Sequence, residues 1–132
     1  MNKNPQHGDL IIKELYNCRT KGGELRCHRI NVNQENAGEL IIRIPNQEKT
    51  LMIEEVFVKR GFRNSGLGSN LLRFGEATAC ELGFTSIGLR PFSTDSLISD
   101  HELKEWYRKR GYLPDGENMF KKTNRKNIEV IS

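Results

Sequence analysis

The sequence predicts an α+β fold, an α/β sandwich in which helices pack on a mixed, mostly antiparallel sheet. Residues 9–58 alternate apolar and polar side chains in four segments divided by turn residues, a pattern typical of β-strands. The second half shows helical spacing in two segments. A chain of 132 residues fits one hydrophobic core. We therefore expect a single domain over residues 1–132, with its core at 9–122 and a C-terminal tail at 123–132.

Four strands are predicted before any helix, at residues 9–18, 23–32, 38–45 and 51–58. The first two are divided only by "RTKGG", and Pro45 closes the third because proline lacks a backbone N–H. "LMIEEVFV" is the strand richest in apolar residues and is expected at the centre of the sheet. The short connections predict an antiparallel meander.

The first helix is predicted at residues 67–82, ended by a glycine at position 83. Its expected buried side carries apolar residues at helical spacing, namely Leu67, Leu71, Leu72, Ala79 and Leu82.

A fifth strand is predicted at residues 85–92 and a second helix at residues 101–110. Ser99 and Glu102 have the spacing of a capping box before that helix. Residues 112–122 predict a turn and a last strand. The crossover from the fourth strand through the first helix to the fifth strand predicts a parallel pair within the sheet.

The composition excludes several classes of protein. The net charge of +4 is mild, and 17 acidic residues interspersed among 21 basic ones argue against nucleic-acid binding. The three cysteines and three histidines lack the spacing of a zinc site, so no metal is expected. No apolar run approaches the roughly 18 residues of a membrane span, and no signal peptide is evident. We expect a cytoplasmic protein without membrane contact.

The glycine-rich segment between the fourth strand and the first helix is the candidate binding site. It is not a Walker A loop, because Leu67 stands where lysine is required. It is not a dinucleotide fingerprint, because Leu71 fills the third glycine position. The remaining pattern, Arg63-x-x-Gly66-x-Gly68, places main-chain amides and one cation at a helix start, which favours an anion. The alternative is a tight turn with solvated charges.

Two segments resemble the GNAT N-acetyltransferase superfamily. "IEEVFVKRGFRNSGLGSNLL" is similar to the acetyl-CoA-binding segment of that family, and "EWYRKRGY" to its later segment, with Tyr107 four residues before Gly111. The resemblance extends over about residues 51–122. It implies a GNAT-like acyl-CoA N-acyltransferase fold and transfer of an acetyl group from the co-substrate acetyl-CoA to a primary amine.

The resemblance also implies which residues bind acetyl-CoA. The backbone of the fourth strand would contact the pantetheine arm, and main-chain amides of the glycine loop would hold the diphosphate. The implied binding residues are Val56, Phe57, Val58, Arg63, Asn64, Ser65, Gly66, Leu67, Gly68 and Ser69.

Two residues are candidates for proton transfer. Tyr107 matches the tyrosine that protonates the departing thiolate in the family, although its helical spacing also fits a core residue. Glu54 is a candidate base, with a surface carboxylate and a water relay as alternatives. Strict alternation would put Glu54 on one strand face with Val56 and Val58, and Ile53 with Glu55 on the other.

Three further polar residues are weaker candidates. His28 could face a cleft, but a histidine within a strand is more often structural. Asp95 and Asp100 flank the loop before the second helix and would meet a cationic amine there. Both are also common turn and cap residues.

One departure from the family concerns its acceptor side. Many members carry helices between their first two strands, and "RTKGG" leaves no room for one. An open cleft would suit a protein lysine or N-terminus better than a small molecule, and a homodimer would be another way to supply the missing wall. The competing interpretation is a module that binds acyl-CoA without chemistry.

Overall fold

The computed structural model describes residues 9–93 and 97–123. These residues form a mixed sheet of seven strands in the order β1-β2-β3-β4-β5-β7-β6, together with two α-helices. The elements are β1 (Leu10–Thr20), β2 (Gly23–Val32), β3 (Glu35–Pro45), β4 (Thr50–Val58), α1 (Leu67–Glu81), β5 (Ser86–Leu89), α2 (Asp100–Arg108), β6 (Leu113–Asp115) and β7 (Asn118–Lys122).

The strand directions confirm the predicted fold class. Strands β1 to β4 form an antiparallel meander, and β5, β7 and β6 also pair antiparallel. The only parallel pair within the described residues is β4 with β5, on either side of the α1 crossover. The sheet is therefore mixed and mostly antiparallel, with β4, the glycine loop and α1 in sequence at its centre.

The main core lies between α1 and one face of the sheet. Leu71 and Leu72 of α1 are buried, as are the strand residues that they cover. The helix lies close to the sheet at Gly75, where an added Cβ would be in ordinary van der Waals contact with Leu40 at 3.6 Å and Ile53 at 3.9 Å. The predicted apolar face of α1 is confirmed except at Leu82, which follows the last helical residue and is 46% exposed.

Helix α2 lies beside the first turn of α1. Its N-terminus has the predicted capping box, in which the Ser99 hydroxyl accepts from the Glu102 amide at 3.0 Å. The Trp106 ring packs against Gly68, where an added Cβ would lie 3.3 Å from the indole. This contact aligns α2 with the start of α1.

The C-terminal strands differ from the prediction in two ways. Strand β5 ends at Leu89, short of residue 92, because Pro91 cannot donate to a ladder. The expected last strand is a hairpin of β6 and β7, which turns at Gly116 with φ of +64°. Apart from Thr123, the predicted tail lies outside the described residues.

A polar cluster ties three elements together behind the sheet edge. The hydroxyl of the fully buried Tyr112 donates to Glu76 Oε2 of α1 at 2.8 Å. Lys121 of β7 donates to the same oxygen at 3.2 Å. Two donors on one carboxylate oxygen fix the segment after α2 to α1 and to the sheet. No helix within the described residues is long and apolar enough to cross a membrane.

Candidate active site

A cleft opens where β4 and β5 separate. The parallel pairing of the two strands ends at Ile53 opposite Leu89, and β4 continues alone on that side to Val58. The cleft has a volume of about 630 Å³ and is lined by β4, the glycine loop, the start of α1 and one side of α2. All ten predicted acetyl-CoA-binding residues except Ser65 line it.

The glycine loop presents main-chain N–H groups to this cleft. Asn64 and Gly66 have φ of +62° and +83°, and Gly66 is the N-cap residue of α1. No side chain caps the helix, and the amides of residues 64–69 donate no hydrogen bond to the described part of the chain. Such a cluster of unsatisfied amides at a helix start is suited to an anion.

Side chains of the loop hold it against β4. Arg63 Nε donates to the Val58 carbonyl at 3.1 Å, and its amide donates to the Arg60 carbonyl at 3.4 Å. The Ser65 hydroxyl donates to the Phe62 carbonyl. Arg63 and Ser65 therefore shape the loop through their own bonds, whereas the ligand-facing amides belong to the residues that follow.

The end of β4 offers one backbone edge to the cleft. Val56, Phe57 and Val58 pair with β3 on their other edge. Ligand groups that lie along the exposed edge would extend the sheet in the manner of an added strand.

Tyr107 is buried, with 5% of its surface exposed, and it lines the cleft. Its ring meets Trp106 and Tyr112 edge-on, with centroids 5.0 and 5.7 Å apart. Burial raises the pKa of Tyr107 to about 12, partly opposed by the positive charge of Arg110. The hydroxyl makes no hydrogen bond to any described residue. It is a protonated phenol without a hydrogen-bond partner in the described part of the chain.

Glu54 occupies a β-bulge that the alternation argument missed. Ile41 pairs with Glu55 but Ile42 pairs with Ile53, so Glu54 is an extra residue in β4. The prediction that Ile53 and Glu55 share a face is wrong, because the bulge breaks the alternation between them. Glu54 lines the cleft and accepts a hydrogen bond from Arg43 at 3.1 Å.

Arg110 is a cleft residue that the sequence reasoning did not select. It follows α2, and its guanidinium lies over the Trp106 ring, with Cζ 3.8 Å from the ring centroid. Its position directly before Gly111, within the segment that carries Tyr107, was the available signal.

The weaker candidates fall elsewhere. His28 is buried in β2 against Phe74 and does not line the cleft. Asp100 accepts a hydrogen bond from the Ser93 amide at 2.9 Å, so it closes the loop before α2. Asp95 lies outside the described residues. Among the described residues, no group of three histidine, cysteine or acidic side chains has the arrangement of a metal site.

The splayed β4–β5 pair, the uncapped start of α1 and the buried Tyr107 all border one cleft. The model of the acetyltransferase (GNAT) family matches residues 3–112, and the chain belongs to that family. A search of curated protein sequences finds no significant match.

Solved structures with the same fold include several that hold coenzyme A. One is PaiA N-acetyltransferase from Thermoplasma acidophilum in complex with coenzyme A, which is 17% identical to this chain with a TM-score of 0.60. The alignment covers 74% of this chain and only 60% of the length of that enzyme. A mutant AtaT toxin, bound to the C-terminus of the antitoxin AtaR and acetyl-CoA, is 14% identical with a TM-score of 0.65 over 93% of this chain and 97% of that one. The anti-CRISPR protein AcrVA5 is 28% identical with a TM-score of 0.55, and the alignment covers 64% of this chain and 88% of that one.

Proposed function

We propose that the protein is an acetyl-CoA-dependent N-acetyltransferase that acetylates a primary amine. One observation carries the proposal: the uncapped amides of the glycine loop and Tyr107, whose hydroxyl has no partner among the described residues, line the same cleft. An anion site and a proton donor are the two features that transfer from a phosphate-bearing thioester requires.

The residues present fit acetyl-CoA. The backbone amides of Leu67, Gly68 and Ser69 would hold its diphosphate, and the edge of β4 would hold its pantetheine arm. A Cβ at Gly66 would meet no atom within 4 Å, so space is left beside the loop for a ligand. Bound acetyl-CoA supplies the activated thioester.

The chain's own residues would then manage the protons. Tyr107 Oη keeps its proton at neutral pH because its pKa is about 12, and no residue that the structure describes competes as an acceptor. It would give that proton to the thiolate and regain one from solvent. Glu54 would accept a proton from the amine, directly or through water, while Arg43 orients its carboxylate.

The acceptor is proposed to be an amine on a protein, either a lysine or an N-terminus. The first two strands are joined by a two-residue turn, so no helix lies between β1 and β2. The rings of Phe57 and Phe92 line the cleft while 40% and 64% exposed. An open mouth with exposed aromatic rings suits a large partner better than a small molecule.

Thiol release from acetyl-CoA tests the proposal. The purified protein is incubated with acetyl-CoA and separately with lysine peptides, free N-terminal peptides and small amines. We expect thiol release that depends on one class of amine, together with a mass increase of the acceptor by one acetyl group. Thiol release that is independent of every amine would contradict N-acetylation.

A second function is favoured by the ion pair of Glu54 with Arg43. If Glu54 stays bound to Arg43 and does not reach the amine, the protein would bind acyl-CoA without transferring the acyl group. Saturable acetyl-CoA binding without thiol release against the whole acceptor panel would support this binding module over the enzyme.

A further inference from the structure

Arg110 is held in a fixed position at the start of α1. Its Nη1 donates to the Trp106 carbonyl at 2.9 Å, and its guanidinium stacks on the Trp106 ring. Its Nε and Nη2 both donate to the hydroxyl of Ser69, at 3.1 and 3.0 Å. A side chain anchored by stacking and three hydrogen bonds loses little conformational entropy when it binds a ligand.

The guanidinium of Arg110 differs from those of five other arginines in its lack of a nearby carboxylate among the described residues. In the described part of the chain, a carboxylate lies within 4.0 Å of Arg26, Arg29, Arg43, Arg90 and Arg108. Within the described residues, neither Arg110 nor Arg73 has one. Burial, and next the nearby charge of Arg73, lower the pKa of Arg110. A partly buried cation beside a second cation is stabilised by an anion.

We propose that Arg110 binds the diphosphate of acetyl-CoA from the α2 side of the cleft; this rests on the proposed function. Ser69, whose hydroxyl accepts from Arg110, also contributes one of the uncapped amides of α1. One phosphate group can therefore reach both the amides and the two guanidinium N–H groups that no described residue accepts. The planar fork of arginine matches phosphate oxygens.

The same contact would connect donor binding to the position of Tyr107. Arg110 is bonded to the backbone of Trp106, the residue before Tyr107. A diphosphate held by Arg110 would thereby fix the end of α2 as well as the glycine loop. Binding energy far from the thioester would then help to hold the proton donor in place.

The test measures affinities of Arg110→Gln by calorimetry for coenzyme A, dephospho-coenzyme A and pantetheine. We expect coenzyme A and dephospho-coenzyme A to bind about 10- to 100-fold more weakly, which is the effect of losing one charge-assisted hydrogen bond. The affinity for pantetheine should be unchanged, because pantetheine has no phosphate. Arg108→Gln is the matched control, because Arg108 is exposed and paired with Glu105. Arg110→Lys, which retains the charge, should bind with intermediate affinity.

If the wild type binds coenzyme A, three results with Arg110→Gln would overturn the proposal. Unchanged affinity for coenzyme A would remove Arg110 from the site. An equal loss for pantetheine would show a structural role through Trp106, and a loss confined to coenzyme A would assign Arg110 to the 3′-phosphate. A wild-type protein that binds no coenzyme A would refute the proposed function itself, and this inference would fall with it.

Discussion

Tyr107 is packed like a core residue and also lines the cleft. Its spacing on α2 predicted an apolar face, and its ring is indeed packed between Trp106 and Tyr112. Its hydroxyl nevertheless has no partner among the described residues, although a buried tyrosine usually finds one. A ligand atom in the cleft would satisfy it.

Replacing Tyr107 with phenylalanine should lower kcat by about 10²–10⁴-fold if proton transfer limits the rate, with little change in KM for acetyl-CoA. With a pKa of about 12, the wild-type phenol stays protonated through pH 10, so its ionisation should not limit activity there. Tyr16→Phe is the control, since Tyr16 is 49% exposed on β1. Wild-type kcat in Tyr107→Phe would leave Tyr107 as a core residue only.

His28 should make the fold sensitive to acid. Burial lowers the pKa of His28 below its ordinary value of 6.5, while Glu14, at 3.9 Å, partly opposes the shift and Arg26 adds to it. Between the folded and unfolded pKa values the unfolded chain binds more protons. The contribution of neutral His28 to the free energy of unfolding is therefore fully present above about pH 6.5, and it is lost as the pH falls through the pKa of the folded state.

The free energy of unfolding of wild type and His28→Leu, measured in urea at pH 7.5 and 5.5, checks this expectation. The wild type should lose more stability on acidification than the variant does. His101→Leu is the control at an exposed histidine. Equal pH dependence in wild type and His28→Leu would contradict the assignment.

The residues that sequence reasoning missed depend on contacts between distant segments. Arg110 matters because it meets Ser69, 41 positions earlier in the chain. Glu54 was placed by a period of two, but a bulge depends on the register with β3. In contrast, the loop residues around Gly66 were predicted, because the strand, the glycines and the helix are adjacent in sequence.

At the scale of elements, the end of β5 creates the cleft. Pro91 stops the ladder after Leu89, whereas β4 continues to Val58, so the edge of β4 is exposed. The Trp106 contact with Gly68 and the polar cluster at Glu76 then place α2 beside that edge. The position of the site therefore follows from where the strands stop as well as from the motif.

Gly88 shows how tightly β5 is packed on the sheet face opposite α1. An added Cβ would lie 2.6 Å from the Phe120 ring and 3.0 Å from Met52 Sδ. Gly88→Ala should therefore cost about 1–3 kcal/mol of stability. Gly61→Ala is the control, since a Cβ added at Gly61 would meet no described atom within 4 Å. Equal urea midpoints for the two variants would contradict this packing.

At the scale of the whole molecule, the sequence predicted the class of fold well. The four-strand meander, the crossover helix and the capped second helix were all local patterns, and they lie where expected. The pairing of β5 with β7 and the order of the last two strands were not predicted, because sheet order depends on contacts between distant segments.

Across the whole molecule, the two ends of the cleft carry opposite charges. The cationic loop end lies near Arg63 and Arg110, and the carboxylates of Glu54 and Glu55 lie farther along β4. The four steps along the strand from Glu54 to Val58 span about 13 Å at about 3.3 Å per residue. This polarity suits an anionic donor at one end and a cationic amine at the other.

Calorimetric titration with acetyl-CoA of the wild type, Gly66→Trp and Gly83→Trp tests the central claim most directly. Gly66 and Gly83 have φ of +83° and +87° and open space around them, so both variants carry the same backbone strain. Only Gly66 borders the cleft. We predict saturable binding by the wild type and Gly83→Trp, and its loss in Gly66→Trp. Wild-type affinity in Gly66→Trp, or no binding by the wild type, would contradict the assignment of the glycine loop.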